Sequence, residues 1–276
     1  MAGKLHPEEA ERRPGPFLKA LADLYDFLGM AVLASVGSSA VTLTAGLLAG
    51  WVWQIGGLAR ACAPLPLLLL PPVACWGLSS LAVACAARED PSWRHLLSAV
   101  GRVYPRVLLY GVMGPGGAAI AAGTAALWAT IGTPALPGAS STPLGVAVGA
   151  LWAGAGLAWV CVWMLGWSIM AMSGARVGYS LRLAAAAVSA GPGTALLFAG
   201  HLAAALGVLL LPLVVSWQGI GIGLCIMFVV FIGPFYIAVL SANVALHLVE
   251  RVRDLKERLE AEQNTPAVEE QGADDA

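Results

Sequence analysis

The chain has 276 residues, of which 59% are hydrophobic and 11% are charged, and its formal net charge is −1 at pH 7. Between Phe27 and Val249 it carries only nine charged side chains: Arg60, Arg88, Glu89, Asp90, Arg94, Arg102, Arg106, Arg176 and Arg182. Because soluble domains carry about a quarter of their residues as charge, this composition excludes a water-soluble domain and predicts an all-α bundle of membrane-spanning helices. We expect the lipid bilayer as its surroundings and no nucleic-acid partner.

The segment before the first long apolar run mixes acidic and basic residues, so it is not predicted to be a secretory signal. Residues 1–16 are predicted to be disordered and cytoplasmic. In the next segment, apolar residues recur at spacings of three and four, on one face of a short helix: Phe17, Leu18, Leu21, Leu24, Tyr25 and Leu28. Two interpretations remain open for this helix, an interfacial helix on the cytoplasmic leaflet or the first span extended into water.

Four uncharged runs cover 27–59, 61–87, 107–175 and 183–249. A spanning helix needs about 20 apolar residues, so the two shorter runs hold one span each. The two longer runs hold two spans each, because clusters of Pro, Gly and Ser interrupt them where a turn is needed. Six spans are therefore predicted near 30–53, 65–86, 108–131, 145–172, 195–215 and 220–247, forming a membrane domain over 17–247.

The positions of Lys and Arg predict the orientation, since positively charged loops stay on the cytoplasmic side of a membrane. With six spans and the N-terminus inside, 14 of the 15 Lys and Arg residues fall in cytoplasmic segments, and only Arg60 falls outside. The sequence therefore predicts a multi-pass protein of the bacterial inner membrane with both termini in the cytoplasm.

Two segments that begin in predicted cytoplasmic loops match each other, since residues 92–112 align without gaps on residues 180–200. The matched pairs are Ser92/Ser180, Arg94/Arg182, Ala99/Ala187, Val100/Val188, Leu108/Leu196, Leu109/Leu197 and, as a conservative pair, Tyr110/Phe198. Each segment is predicted to form an amphipathic elbow helix that meets a proline, Pro105 or Pro192, before the next span. The pattern favours a parallel internal repeat, with chance matching in an apolar composition as the alternative.

The basic residues of the two elbow regions form the first candidate site. Two general effects account for such residues without a further function. Positively charged loops are kept on the cytoplasmic side of the membrane, and their charges are attracted to anionic headgroups. The other interpretation is a docking surface for a membrane or cytoplasmic partner. The residues concerned are Arg88, Trp93, Arg94, Arg102, Arg106, Arg176 and Arg182.

Helix breakers and a histidine inside the predicted spans form the second candidate, a solute pathway through Pro115, His201 and Pro234. Proline interrupts a helix and frees backbone carbonyls, which can line a binding site at the middle of a membrane. The alternative for the prolines is a kink that serves packing. No Asp or Glu lies in a predicted span to partner His201, so a hydrogen bond between helices is favoured over a proton relay.

Enzyme motifs are missing from the sequence, which has no Walker A pattern, no HExxH helix and no CxxC pair. We therefore predict no enzymatic activity, no cofactor and no metal. After the last span, residues 248–263 are predicted to continue as a cytoplasmic helix. Leu248, Val252, Leu255 and Leu259 form a narrow seam on this helix that is suited to homo-oligomerisation through 248–260. The acidic tail, 264–276, is predicted to be disordered.

The order of these features resembles the YesL-like family of small bacterial integral membrane proteins. The resemblance rests on an amphipathic lead (FLKALADLYDFLGM), a Pro-containing second span (LPLLLLPPVACWGLSSLAVACAARED) and a Trp-bearing elbow (PSWRHLLSAVGRVYPRVLLYG), and it covers 17–247. It implies association with carbohydrate uptake systems and supplies no catalytic residues. The sequence thus favours a non-enzymatic accessory or scaffold protein that binds membrane transporter subunits. The alternative is a facilitator or transporter of a small or lipid-like solute.

Overall fold

A computed structural model of the protein describes residues 15–89, 91–92, 95, 103–131, 143–174, 177–214 and 228–264. Over these residues the chain is helical and contains no β-strand. Its α-helices are α1 (Pro16–Asp26), α2 (Leu28–Ile55), α3 (Leu65–Ala86), α4 (Tyr104–Ile131), α5 (Pro143–Ser173), α6 (Val177–Ala190), α7 (Pro192–Val214) and α8 (Gly233–Asn264). The predicted disordered termini and nearly all of the first predicted elbow lie outside the described residues.

Among the described residues, five helices are long and apolar enough to cross a membrane, namely α2, α3, α4, α5 and the stretch Val230–Glu260 that contains most of α8. A sixth crossing is obtained if α6 and the first part of α7, which are bent by 105° where they meet, are counted together. The protein is therefore an all-α, multi-pass membrane bundle, as the charge distribution predicted.

The helix boundaries follow local sequence signals. A 3₁₀ segment, Gly57–Cys62, separates α2 from α3. Gly56 and Gly57 end α2 in a left-handed backbone conformation, with φ values of 80° and 56°, which glycine adopts without the steric cost that a Cβ imposes. The helix α3 then covers 65–86, the bounds predicted for the second span.

Helix α8 lies at the centre of the bundle and packs against α1, α3, α5 and α6. It contributes Phe235, Val239, Leu240 and Leu248, all at most 1% exposed, to the main hydrophobic core. The hydroxyls of Ser168 in α5 and Ser241 in α8 lie 3.0 Å apart, and Ser241 also donates to the Met164 carbonyl at 3.0 Å. These hydrogen bonds satisfy polar groups that would otherwise be costly in an apolar interior.

A second core cluster joins α3 to the start of α4, the last part of α5 and the start of α6. Its buried members are Trp76, Val107, Tyr110, Trp167, Met170 and Val177. The predicted second elbow is present as α6, and the bend between α6 and α7 falls at Gly191 and Pro192. A Cβ on Gly191 would overlap the Leu248 side chain, so a close approach to α8 requires glycine at the bend.

The burial pattern supports the internal repeat in the register that the sequence predicts. In α4, the residues at 107, 110, 111 and 114 are buried, and in α7 the aligned residues at 195, 198, 199 and 202 are buried. The outward positions agree as well, since Leu109 is 57% exposed and its counterpart Leu197 is 58% exposed. The two helices therefore present the same helical face to the bundle.

Candidate functional site

Three of the predicted partner-binding arginines lie at one end of the bundle, here called the basic end, where α3 finishes and α4 and α6 begin. Arg88, Arg106 and Arg182 are all exposed there, and none forms an ion pair with another described residue. Val103 and Val107 of α4 share the second core cluster with Val177 and Leu181 of α6, so Arg106 and Arg182 lie on elements that pack together. The other predicted residues of this group, Trp93, Arg94, Arg102 and Arg176, lie outside the described residues.

Arg88 is held in the left-handed conformation, with φ of 56°, and among the described residues it is the one non-glycine with a positive φ. Its N–H donates to the Cys85 carbonyl at 3.0 Å, and the Glu89 N–H donates to the Ala84 carbonyl at 2.9 Å. These two bonds form a Schellman motif at the end of α3, in which glycine usually occupies the position of Arg88. The left-handed conformation costs a residue with a Cβ about 1 kcal/mol.

Replacement of Arg88 by glycine is therefore expected to stabilise the protein by about 1 kcal/mol, because glycine removes the steric cost of the left-handed backbone. Arg88→Ala is the matched control, since it removes the same charge and keeps the Cβ. Thermal unfolding in mild detergent measures the difference. Equal stability of the Gly and Ala variants would contradict the assigned backbone strain.

Helix α1 is attached to this end of the bundle by polar contacts that involve its charged residues. The Lys19 ammonium donates to the Ala86 carbonyl at the end of α3, at 2.8 Å. Asp23 is 1% exposed, and its Oδ2 accepts a hydrogen bond of 2.9 Å from Nδ2 of Asn243 in α8. The same Nδ2 also donates to the Val239 carbonyl at 3.1 Å, while the buried Oδ1 of Asn243 has no partner in the part of the chain that the structure describes.

The apolar residues of α1 are divided between two faces. Phe17 and Leu24 pack against the main core, whereas Leu18 and Tyr25 are 65% and 80% exposed. Leu21 and, at the start of α2, Leu28 are also exposed, so the outward stripe has spacings of three and four. This stripe faces away from the protein while Asp23 points into it, and an outward apolar stripe is expected of a helix that contacts a membrane surface.

Sequence reasoning missed the pair formed by Asp23 and Asn243, because the search for buried acids was confined to the predicted spans. One signal was available in the last span. Asn243 is the only Asn or Gln between Phe228 and Glu250, and an amide in such a segment requires a polar partner. The aspartate that partners it comes from the lead helix, 220 residues away in sequence.

His201 contacts the lead helix. Its ring stacks on Phe17 with centroids 4.6 Å apart, and its Nδ1 lies 2.8 Å from the Leu197 carbonyl, which can only accept, so Nδ1–H is the donor. The ring thus contacts α1 by stacking, whereas its Nδ1–H bond stays within α7 instead of joining two helices as predicted. The structure places His201 with α1 and α7, away from Pro115, which faces α3 and α5.

Pro234 interrupts the last helix, and the backbone groups it releases are satisfied within the protein. Proline has no N–H for the carbonyl four residues earlier, which here belongs to Val230. Ser39 of α2 donates to that carbonyl at 3.4 Å, and Ser35 accepts the N–H of Phe235 at 3.1 Å. A π-helical turn, Phe228–Ile232, precedes the break. These contacts bind α2 to α8 at the interruption.

Trp159 and Trp163 of α5 pack against α4 at positions where α4 has glycine. Trp159 donates its indole N–H to the Gly114 carbonyl at 3.1 Å, and Trp163 donates to the Tyr110 carbonyl at 3.0 Å. In return, the Tyr110 hydroxyl donates to the Trp163 carbonyl at 2.9 Å. A Cβ on Gly114 would overlap Trp163, and a Cβ on Gly117 would overlap Trp159. This glycine and tryptophan interface brings α4 and α5 close together beside Pro115.

Pro115 borders a cavity of about 90 Å³ between α3, α4 and α5. We call this space the proline cavity. It is lined by Leu67, Leu68, Pro71, Pro72, Cys75, Gly111, Pro115, Trp163 and Trp167. The helix breakers of two different spans therefore meet around one apolar space. Trp167 is 3% exposed, and its buried indole N–H has no acceptor among the described residues.

The seam predicted on the helical extension is only partly available to another copy of the chain. Leu248 is fully buried and Val252 packs against the main core, whereas Leu255 and Leu259 are 43% and 58% exposed. Ion pairs Arg253–Glu257, at 3.7 Å, and Lys256–Glu260, at 3.6 Å, support the helix along its exposed face. The predicted four-residue seam for homo-oligomerisation is thus reduced to two exposed leucines.

Comparisons of the chain with models of protein families, with curated proteins and with solved structures found no match. Among the described residues, no group of three or more His, Cys, Asp or Glu side chains is placed to hold a metal ion.

Proposed function

We propose that this protein is a non-enzymatic accessory or scaffold subunit of the bacterial inner membrane, with both termini in the cytoplasm, and that its basic end binds a partner. The observation that carries the proposal is Arg88, an exposed arginine without an ion pair among the described residues, kept at a backbone position where glycine would be more stable. Strain retained at one position in a structure is a reason to infer a function for that side chain.

The other features of the basic end support this proposal. Arg106 and Arg182 are exposed on elements that pack together, so their charges are fixed relative to the bundle. Long cationic side chains that form no ion pair with the described residues can donate hydrogen bonds to carboxylates of a partner. The resemblance of residues 17–247 to YesL-like proteins suggests transporter subunits of a carbohydrate uptake system as that partner.

Charge reversal at the basic end tests the proposal. We expect the triple variant Arg88→Glu/Arg106→Glu/Arg182→Glu to lose a partner that is recovered with the native protein after crosslinking in cells and identified by mass spectrometry. Three exposed charge pairs contribute about 0.5 kcal/mol each, and their loss together with repulsion should reduce recovery about tenfold or more.

Arg60→Glu is the matched control, because Arg60 is exposed at the opposite end of the bundle, before α3 begins. Its guanidinium lies 5.4 Å from the centroid of the Trp53 ring. Recovery of the same partner with the triple variant would contradict the proposal. An equal loss with Arg60→Glu would also contradict it, since the effect would then be one of net charge.

A facilitator of a small or lipid-like solute is the second candidate, and the proline cavity is the observation that favours it. Pro71, Pro72 and Pro115, which belong to different helices, border this one space. Uptake of a solute into vesicles that contain the purified protein, reduced by the mouth-filling variant Leu68→Trp, would support this candidate over the accessory role.

A further inference from the structure

We propose that the last part of α8, residues 249–260, is a docking surface for an amphipathic helix of a partner protein, one that carries acidic side chains on both sides of an apolar stripe. We call this part of α8 the extension. The inference goes beyond the accessory role and does not depend on it, because the extension contains none of the three arginines of the basic end.

The extension carries an apolar stripe that continues the buried face of α8. Leu248 is fully buried and Val252 packs against the main core, whereas Leu255 and Leu259 are 43% and 58% exposed. These four residues recur at spacings of four, three and four, which keeps them on one side of a helix. The stripe ends there, since the next position in this pattern, Glu262, is acidic. The extension therefore presents two leucines on a helix that is fixed in the bundle at its base.

Basic residues flank this stripe on both sides. In a heptad with Leu248 and Leu255 at d, the flanking e and g positions are occupied by Val249, Arg251, Lys256 and Arg258. The three basic side chains are exposed. Arg251 and Arg258 form no ion pair with another described residue, and Lys256 has the exposed pair with Glu260. The acidic residues of the extension occupy the outer b, c and f positions, namely Glu250, Asp254, Glu257 and Glu260.

These flanking charges disfavour a second copy of the chain as the occupant. In a parallel helix pair, a g position meets an e position of the partner helix, which places Arg251 against Lys256. In an antiparallel pair, g meets g, so arginine meets arginine. Like charges at such positions destabilise the pair, and they select against self-association. A helix with Glu or Asp at its own e and g positions replaces each repulsion by an ion pair.

The direction of the extension argues against lipid as the occupant. Helix α8 is continuous from Gly233 to Asn264, so the extension follows the axis of the span, whereas an interfacial helix lies in the membrane plane. Charge begins at Glu250 and Arg251, and Leu259 lies eight residues, or about 12 Å, beyond Arg251. The headgroup layer on each side of a bilayer is about 5–8 Å thick. Leu259 therefore lies beyond the lipid, where a protein can cover it.

Binding of synthetic peptides to the full-length protein in nanodiscs of phosphatidylcholine tests the proposal. The acidic probe is a fluorescent peptide of about three heptads with leucine at a and d and glutamate at e and g, and the basic probe has lysine at e and g instead. Fluorescence anisotropy measures the affinities. Because three flanking charges change from attraction to repulsion, the acidic probe should bind about tenfold more tightly than the basic probe, or better. A scrambled acidic peptide of the same composition should bind about tenfold more weakly than the acidic probe.

Two multiple variants separate the contributions of charge and apolar contact. Arg251→Glu/Lys256→Glu/Arg258→Glu should reverse the preference, so that the basic probe binds about tenfold more tightly than the acidic probe. Leu255→Ala/Leu259→Ala should weaken binding of the acidic probe about tenfold. Both leucines are exposed, so this variant decides the question even if the charge variant does not fold.

Arg258→Glu and Arg253→Glu form a matched pair, because they make the same change of charge at exposed positions of the same helix. Arg253 occupies a b position, away from the stripe, and pairs with Glu257 at 3.7 Å. We expect Arg258→Glu to weaken binding of the acidic probe about fivefold and Arg253→Glu to leave it unchanged. Equal effects of the two variants would overturn the assignment of the flanking positions.

Other results would overturn the proposal as a whole. These are equal binding of the acidic and basic probes, no binding of either, equal binding of the scrambled peptide, or unchanged binding to Leu255→Ala/Leu259→Ala. A dimer of the native protein in analytical ultracentrifugation that this leucine variant dissociates would identify a second copy as the occupant. A nitroxide at 259 that collides with oxygen in lipid, and not with a water-soluble nickel complex, would identify lipid.

Discussion

Gly114→Ala is expected to destabilise the protein by about 2–3 kcal/mol, although alanine ordinarily stabilises a helix by about 1 kcal/mol relative to glycine. The added Cβ would overlap the ring atoms of the Trp163 indole, and this ring is fixed by its bond to the Tyr110 carbonyl. Because a rigid ring held by this hydrogen bond cannot move aside, α4 and α5 must separate. Thermal unfolding in detergent, followed by circular dichroism, measures the loss.

Gly116→Ala is the matched control for this prediction, since Gly116 lies in the same helix two residues away and a Cβ there meets nothing within 4 Å. We expect Gly116→Ala to be neutral or slightly stabilising. A second pair tests the interface from α5, where a Cβ on Gly166 would overlap the Tyr110 hydroxyl. Tyr110→Phe should partly rescue Gly166→Ala. Equal stability of Gly114→Ala and Gly116→Ala would show that the helices are not packed as described.

Asn243→Leu is expected to destabilise the protein by about 3 kcal/mol, because it leaves the carboxyl group of Asp23 buried without its hydrogen-bond donor. Asp23 is 1% exposed, so water cannot replace the amide without movement of α1. We therefore expect α1 to detach while the rest of the bundle stays folded. Hydrogen exchange followed by mass spectrometry measures this as faster exchange over 16–26 with little change in α4 and α5.

The double variant Asp23→Leu/Asn243→Leu should recover most of the lost stability, since two apolar residues can replace a buried polar pair at little cost. Asp26→Ala is the matched control on the same helix, because Asp26 is exposed and should contribute little. If Asn243→Leu and Asp23→Leu are additive in the double variant, the two side chains do not interact and the attachment of α1 has another origin.

The predicted bounds of the first four spans lie within four residues of α2, α3, α4 and α5, because these bounds depend on local signals. Charged residues and breakers delimit each apolar run, and α3 covers the predicted 65–86. The bend at Gly191 and Pro192 was likewise predictable from the proline that follows an amphipathic segment.

The packing of these helices was much less predictable, since spans that are apolar on every side carry no periodicity to mark the face that contacts a neighbour. Trp159, Trp163 and Trp167 are visibly spaced by four, yet only the structure shows that Trp159 and Trp163 face Gly117 and Gly114 and that Trp167 contacts Tyr110. The proline cavity required the same information, because Pro71 and Pro115 approach each other only through tertiary contacts.

The proposed docking region lies at the end of the bundle to which α1 is attached. Lys19 of α1 donates to the end of α3, and Asp23 of α1 accepts from Asn243 of α8. The strained Arg88 lies at the same end of α3. The basic end would select a protein partner.

Photocrosslinking in cells is the most direct test of the claim that the basic end binds a protein. The crosslinker p-benzoylphenylalanine would be placed at 88, 106 or 182 in turn, with position 60 at the opposite end as the control, and adducts would be identified by mass spectrometry. We predict one protein adduct shared by the three positions of the basic end and missing at 60. Adducts with lipid alone at 88, 106 and 182, or the same protein adduct at 60, would contradict the proposed function.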